Sequence, residues 1–106
     1  MSEGLNDLGA RIAQVSDIYA AHYDIDRSGD WYLLKLQEEL GELTQAYLDV
    51  TGRSRRASDA AARQAMALEM ADVLGMLLLM ARDEGVDLDA AVQEKWLSWL
   101  EREDAS

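Results

Sequence analysis

Five carboxylates stand out by residue type and spacing. Glu38, Glu39 and Glu42 lie in KLQEELGELTQAY, residues 35–47, and Glu69 and Asp72 lie in AMALEMADVLGMLLLMA, residues 65–81. An acid set against apolar surface without a partner is costly, and the second stretch contains no Lys or Arg to pair with it. Side chains three or four residues apart on a helix are neighbours, so each acidic group occupies one side of its helix. Two helices packed about 8–10 Å apart could then bring four or five carboxylates to one point. Such hard oxygen donors, with no cysteine in the chain and no histidine nearby, suit Mg²⁺ or Mn²⁺ rather than zinc. Either half alone is ordinary for a solvated helix face. The apolar surroundings of the second half make the pair point to a metal site.

The elements that must position these acids are helical. Leu5, Leu8, Ile12, Val15 and Tyr19 step by three and four and predict a first helix from about Leu5 to Tyr23. The turn-forming run DIDRSGD ends it. A second helix starts near Ser28 or Asp30, either of which can cap it, and stops near Gly52. With Glu38 as the origin of its wheel, Glu42 lies about 40° and Glu39 about 100° away, while Leu36, Leu40, Leu43 and Tyr47 cluster at roughly 140–200°. Glu39 thus borders the apolar stripe, Glu42 lies just outside it and Glu38 is the most exposed. A third helix, capped by Ser58, runs to about Glu84 before Gly85. It is apolar nearly all round, which predicts a central or interface position. A fourth, capped by Asp87, continues to about Arg102. Four helices with short connections predict an all-α bundle, one domain over residues 1–106.

Composition narrows the function. Ten Lys and Arg against 21 Asp and Glu give a net charge of −11, which disfavours a nucleic-acid partner. Without cysteine there is no disulfide, thiolate site or cysteine nucleophile. The N-terminal stretch lacks the basic start and apolar core of an export signal. The apolar run from Ala65 to Ala81 is just short of a membrane span and is interrupted by two acids. These features predict a cytoplasmic protein with no membrane partner. A chain of this length buries a modest core alone, which favours association with a second copy.

The acidic segments carry a family resemblance. KLQEELGELTQAYLDVTGR followed by ALEMADVLGMLLLMARDEGVDLDAAVQEKW resembles the MazG-like, all-α nucleoside triphosphate pyrophosphohydrolases over roughly residues 31–96. The family pattern, Glu-Glu-x-x-Glu then Glu-x-x-Asp, falls on Glu38, Glu39, Glu42, Glu69 and Asp72. The resemblance implies a four-helix fold completed by dimerisation, as a homodimer or a tetramer of dimers. It implies Mg²⁺-dependent hydrolysis of a nucleoside triphosphate to monophosphate and pyrophosphate, in the service of nucleotide-pool house-cleaning. It makes Glu39, Glu42, Glu69 and Asp72 metal ligands, with Glu38 a further ligand or the base that positions the water; Glu38 and Glu39 are both candidates for that base. Phosphoribosyl-ATP pyrophosphohydrolase is the alternative within the fold, and a non-catalytic helical interaction module the alternative outside it. Where relatives often carry an asparagine after the helix-four lysine, this chain has Trp99.

Other residues have two readings each. Lys35 and Lys95 could contact phosphate, or be surface lysines beside Glu39 and Glu94. Trp31 could stack on a nucleobase, although packing is the default for it and for Trp96 and Trp99. Arg53, Arg55, Arg56 and Arg63 could steer a polyphosphate into an acidic protein, but read first as a solvated or ion-paired loop. His22 reads as a partly buried structural residue, and Met66, Met70, Met76 and Met80 as core filler.

Overall fold

The computed structural model describes residues 4–105; residues 1–3 and 106, at the ends of the expected 1–106 domain, lie outside the described residues. Helix α1 spans Leu5–Tyr23, α2 Trp31–Val50 and α3 Ala60–Asp83. The last rod runs on as α4 (Leu88–Val92), a π-helical turn (Gln93–Leu97) and α5 (Ser98–Ala105). The all-α fold predicted from periodicity is the one observed, with no strand among the described residues. The π-helical turn inside the fourth rod leaves no mark in the hydrophobic periodicity.

Helix α3 is the hub, packing against both α1 and α2. Its Leu78, Leu79 and Ala81 are buried together with Ala20 of α1 and Ala46 of α2. Glycine makes two of the helix ends. Gly52 and Gly85 take φ of 74° and 69°, and the next residues, Arg53 and Val86, donate their N–H groups back to Leu48 and Ala81. A residue with a β-carbon strains at such a φ, so glycine stops the helix there.

Two caps differ from expectation. Asp59, not Ser58, caps α3 by accepting from the Ala62 N–H at 2.9 Å, because Ser58 donates its hydroxyl to the Val50 carbonyl at the end of α2. Asp30 sits at the start of α2 but forms no side-chain cap bond, and Ser28 instead donates its N–H to Asp26 in the preceding turn. Asp87 caps α4 as expected, accepting from the Ala90 N–H at 3.0 Å. The loop after α2 is fixed by Asp49, a buried acid that accepts from Ser54 at 2.5 Å and from Gln45 at 3.3 Å.

The first and last helices are tied by reciprocal capping. Gly4, at the cap position of α1, has no side chain to offer, and Asp89 takes its place by accepting from the N–H groups of Leu5 and Asn6 at 2.7 and 3.0 Å. Asn6 returns the contact, donating to Asp87 at 2.7 Å and accepting from the Leu88 N–H at 3.1 Å. A β-carbon on Gly4 would sit 2.8 Å from the Asp89 carboxylate, so glycine is what lets the acid approach.

A single chain leaves much apolar surface uncovered. Its accessible area is 8116 Å², against about 5,900 Å² expected of a compact monomer of this mass. Its radius of gyration is 16.9 Å, against about 13 Å for a compact domain. Trp96, Trp99 and Leu100 on the last rod, and Leu68, Met70, Leu74 and Leu77 on α3, are all exposed. The packing roles expected of Trp96, Trp99 and Met70 are therefore not filled within one chain. His22 is also exposed, edge-on to Tyr23. By length and composition α3 could cross a membrane. The apolar run at its centre is short, but the helix begins five residues earlier at Ala60.

The α1–α4 tie gives a direct test. Asp89→Ala should cost about 1–2 kcal/mol, the usual scale of a lost helix cap, and lower the melting temperature by about 4–8 °C per kcal/mol. Thermal denaturation followed by circular dichroism reads this out, and Gly4→Ala should reproduce part of the loss.

Candidate metal centre

Helices α2 and α3 bring three of the five acids together. Glu39, Glu69 and Asp72 each offer a carboxylate oxygen within 4.8 Å of the others. Glu42 stands beside both Glu39 and Glu69 and helps raise the carboxyl of each. Exposure follows the helical wheel, with Glu39 half-buried and Glu42 and Glu38 exposed. Glu38 turns outward and pairs with Lys35 one turn earlier at 3.3 Å; it is not among the converging oxygens. Lys35 thus pairs at i,i+3 with Glu38 rather than at i,i+4 with Glu39.

The electrostatics of this cluster are those of like charges held together. Burial, then the neighbouring Glu42 and Asp72, push the Glu39 carboxyl up to about 7, against a small opposing effect of Lys35. Glu69 is raised for the same reasons, burial first and then Glu42 and Asp72. One oxygen each of Glu39 and Glu69, both Oε2, is buried without a hydrogen-bond partner. Buried oxygens are normally satisfied. Orphaned carboxylate oxygens from adjacent helices form a donor set that fits a hard divalent ion.

The acids open onto a cavity of about 740 Å³ bounded by α1, α2 and α3. Lys35, Glu39 and Asp72 line it, and so does Trp31, whose ring meets Tyr32 edge-on at 5.2 Å. Arg27 and Ser16 also face it and were not singled out from sequence. Arg27 sits in the turn DIDRSGD, where a lone arginine among turn formers gives no helical register to read. Lys95 is elsewhere, in the π-helical turn, lining a separate hollow with Trp99 and Arg102. Of the arginine loop, Arg56 pairs with Asp49 at 3.9 Å and Arg53 lies over the Tyr47 ring.

Carboxylates converging from two neighbouring helices define a candidate divalent-metal centre. A family model described as phosphoribosyl-ATP pyrophosphohydrolase matches residues 7–95, and the chain belongs to that family. The family falls within the MazG-like all-α nucleoside triphosphate pyrophosphohydrolases. Its members are soluble hydrolases acting on acid anhydrides, typically dependent on a divalent metal. Comparison with curated proteins and with solved structures gave no match.

The raised carboxyl fixes a pH dependence. Between the ordinary value of 4.5 and about 7, the metal-free folded protein holds a proton on Glu39 that the unfolded chain has lost. The folded state therefore binds more protons, and the contribution of this group to stability falls as pH rises through that window. The melting temperature of chelator-treated protein should decline over that range, and Glu39→Gln should flatten the decline. Millimolar Mg²⁺ or Mn²⁺ should reverse it above about pH 7, since a ligand of the folded state stabilises it.

Proposed function

We propose that the chain is a Mg²⁺-dependent pyrophosphohydrolase that cleaves a nucleoside triphosphate between its α and β phosphates, releasing pyrophosphate. The observation that carries this reading is the convergence of Glu39, Glu69 and Asp72, with orphaned oxygens, in a chain of this family. Glu39, Glu42, Glu69 and Asp72 would hold the cation, with Mn²⁺ as an acceptable substitute. When bound, the cation supplies neutralisation of the polyphosphate and polarisation of the scissile group.

The remaining roles fall to the chain's own residues. Water adds to phosphorus at the α–β bridge, that phosphorus–oxygen bond breaks, and pyrophosphate leaves as the water's proton passes to a carboxylate. Glu38 stands one residue from Glu39 on the exposed side, steadied by Lys35. That position sets Glu38 outside the converging ligands, and orienting the water falls to Glu38 or Glu39. Lys35 is also the cation on the cavity wall nearest the acids in sequence, placed to meet a phosphate. Lys95 has no such position within one chain, and a role at the site would require a second copy.

A second reading of the substrate is favoured by one observation, the family match itself. The phosphoribosyl-ATP description supports a substrate in which the triphosphate belongs to an adenosine carrying a further phosphoribosyl group. Both readings share the same bond and the same products, a monophosphate and pyrophosphate. The assembly is proposed as a homodimer or a tetramer of dimers in the cytoplasm. The 8116 Å² of accessible surface and the exposed apolar faces of α3 and the last rod support it.

Two measurements test this. Incubation with Mg²⁺ and a panel of standard and modified nucleoside triphosphates plus phosphoribosyl-ATP, resolved by ion exchange, should yield monophosphate and pyrophosphate. Glu69→Gln and Asp72→Asn should fold yet lose more than the roughly 10–100-fold typical of an outer-shell change. Diphosphate with orthophosphate would refute the cleavage position, and full activity in both variants would refute the site. Light scattering should give a mass at least twice the 11.8 kDa of one chain.

A further inference from the structure

The geometry points to the cleft between α1 and the α2–α3 pair as the seat of the substrate's nucleoside, with Arg27 and Trp31 as the residues that read it. This rests on the pyrophosphohydrolase reading above and adds specificity-determining residues to it.

The argument begins with where the cavity runs. Glu39, Lys35 and Trp31 all line it and are spaced by four residues along α2. They form one row about 12 Å long, leading away from the acids toward the start of the helix. Asp72, Met76 and Leu79 make the matching row on α3. The cavity therefore extends from the carboxylates along both helices, on the side where anything attached to a held polyphosphate must go. Its volume of about 740 Å³ falls within the roughly 300–1,000 Å³ of small-molecule sites.

The end remote from the acids has the chemistry of nucleoside recognition. Its floor is apolar, with Ile12 and Leu79, and Trp31 stands on its wall. Bases stack on such aromatic rings regardless of sequence. Arg27 lines the same cavity, its Nη1 donating to Ser16 and to Asp17 at 2.9 Å each, with a side chain only 25% exposed. A guanidinium carries five donors in a planar fork. Anchored through one nitrogen to α1, it presents a pre-positioned planar group suited to the acceptors of a base or sugar. In a chain of net charge −11, Lys35 beside Glu39 on the cavity wall favours a polyphosphate at that end. An apolar helix from another protein would meet Lys35, Arg27 and the acids of the metal site.

The test is equilibrium binding, measured by isothermal titration calorimetry, of non-cleavable α,β-methylene triphosphates of adenosine, cytidine, guanosine and uridine, with Mg²⁺, to the full chain. A Trp96→Phe, Trp99→Phe background leaves Trp31 as the sole fluorophore. At least one analogue should change Trp31 emission, and it should bind about 10-fold or more weakly to Arg27→Met and Trp31→Leu. Inorganic tripolyphosphate should bind parent and variants alike. Silent Trp31 emission with every analogue, or equal analogue affinity in parent and variants, would overturn the inference. So would dissociation of copies by Arg27→Met without loss of nucleotide affinity, which would give the cleft to a second copy. Trp31→Leu keeps the test open if Arg27→Met fails to fold. Hydrolysis with a silent Trp31 would sink this inference and leave the reaction standing. Analogue binding at Trp31 without hydrolysis of any triphosphate would do the reverse.

Discussion

Everything about this site follows from mutual repulsion among carboxylates that two helices hold together. Glu39, Glu69 and Asp72 lie with oxygens within 4.8 Å of one another, and Glu42 adds a fourth charge beside them. Packing α2 against α3 therefore works against the electrostatics of its own contact. A proton or a cation resolves the conflict, and the raised carboxyl of Glu39 is the metal-free protein's response. The apolar contacts of α3 with both other helices must outweigh what repulsion remains.

The rest of the fold reads as a means of keeping those two helices in register. Asp49, buried near the end of α2, gathers Gln45 and Ser54, and Ser58 reaches back to Val50. The connection to α3 is thereby fixed before Asp59 caps that helix. Asp89 and Asn6 lock α1 to the start of the last rod. Arg27 staples the turn before α2 onto α1. Each device lies away from the acids and leaves the acids unsatisfied. Among the described residues, the buried side-chain oxygens without partners are those of Glu39 and Glu69, where a ligand can supply them.

Much of this was legible in the sequence because helical periodicity is a strong signal. The bounds of α1 and the ends at Gly52 and Gly85 followed from the apolar stripe and the glycines. The spacing of Glu69 and Asp72 within an apolar run foretold where a charge would need a partner. Other features lay beyond that signal. Periodicity places Glu38 beside Glu39 but does not say that Lys35 will draw it outward. Adjacent Ser58 and Asp59 are equally good caps, and the Val50 carbonyl decided between them. Trp96, Trp99 and Met70 read as packing residues because the pattern marks what is apolar, not what is covered. Arg27 was missed because a turn has no repeating face.

The same repulsion separates this cluster from structural charge. A structural acid such as Asp49 or Asp89 accepts hydrogen bonds from named neighbours, and its removal leaves donors without partners. Glu39 and Glu69 each bear an oxygen with nothing to accept from, and each is driven by burial, then by its neighbours, toward its neutral form. Neutral amides at these positions would relieve the metal-free fold, whereas removing Asp89 would weaken it. Selection for stability alone would therefore erase the cluster and keep the caps. The cluster stands at the mouth of a cavity and against the stability of the metal-free fold, a conflict that a bound cation would relieve.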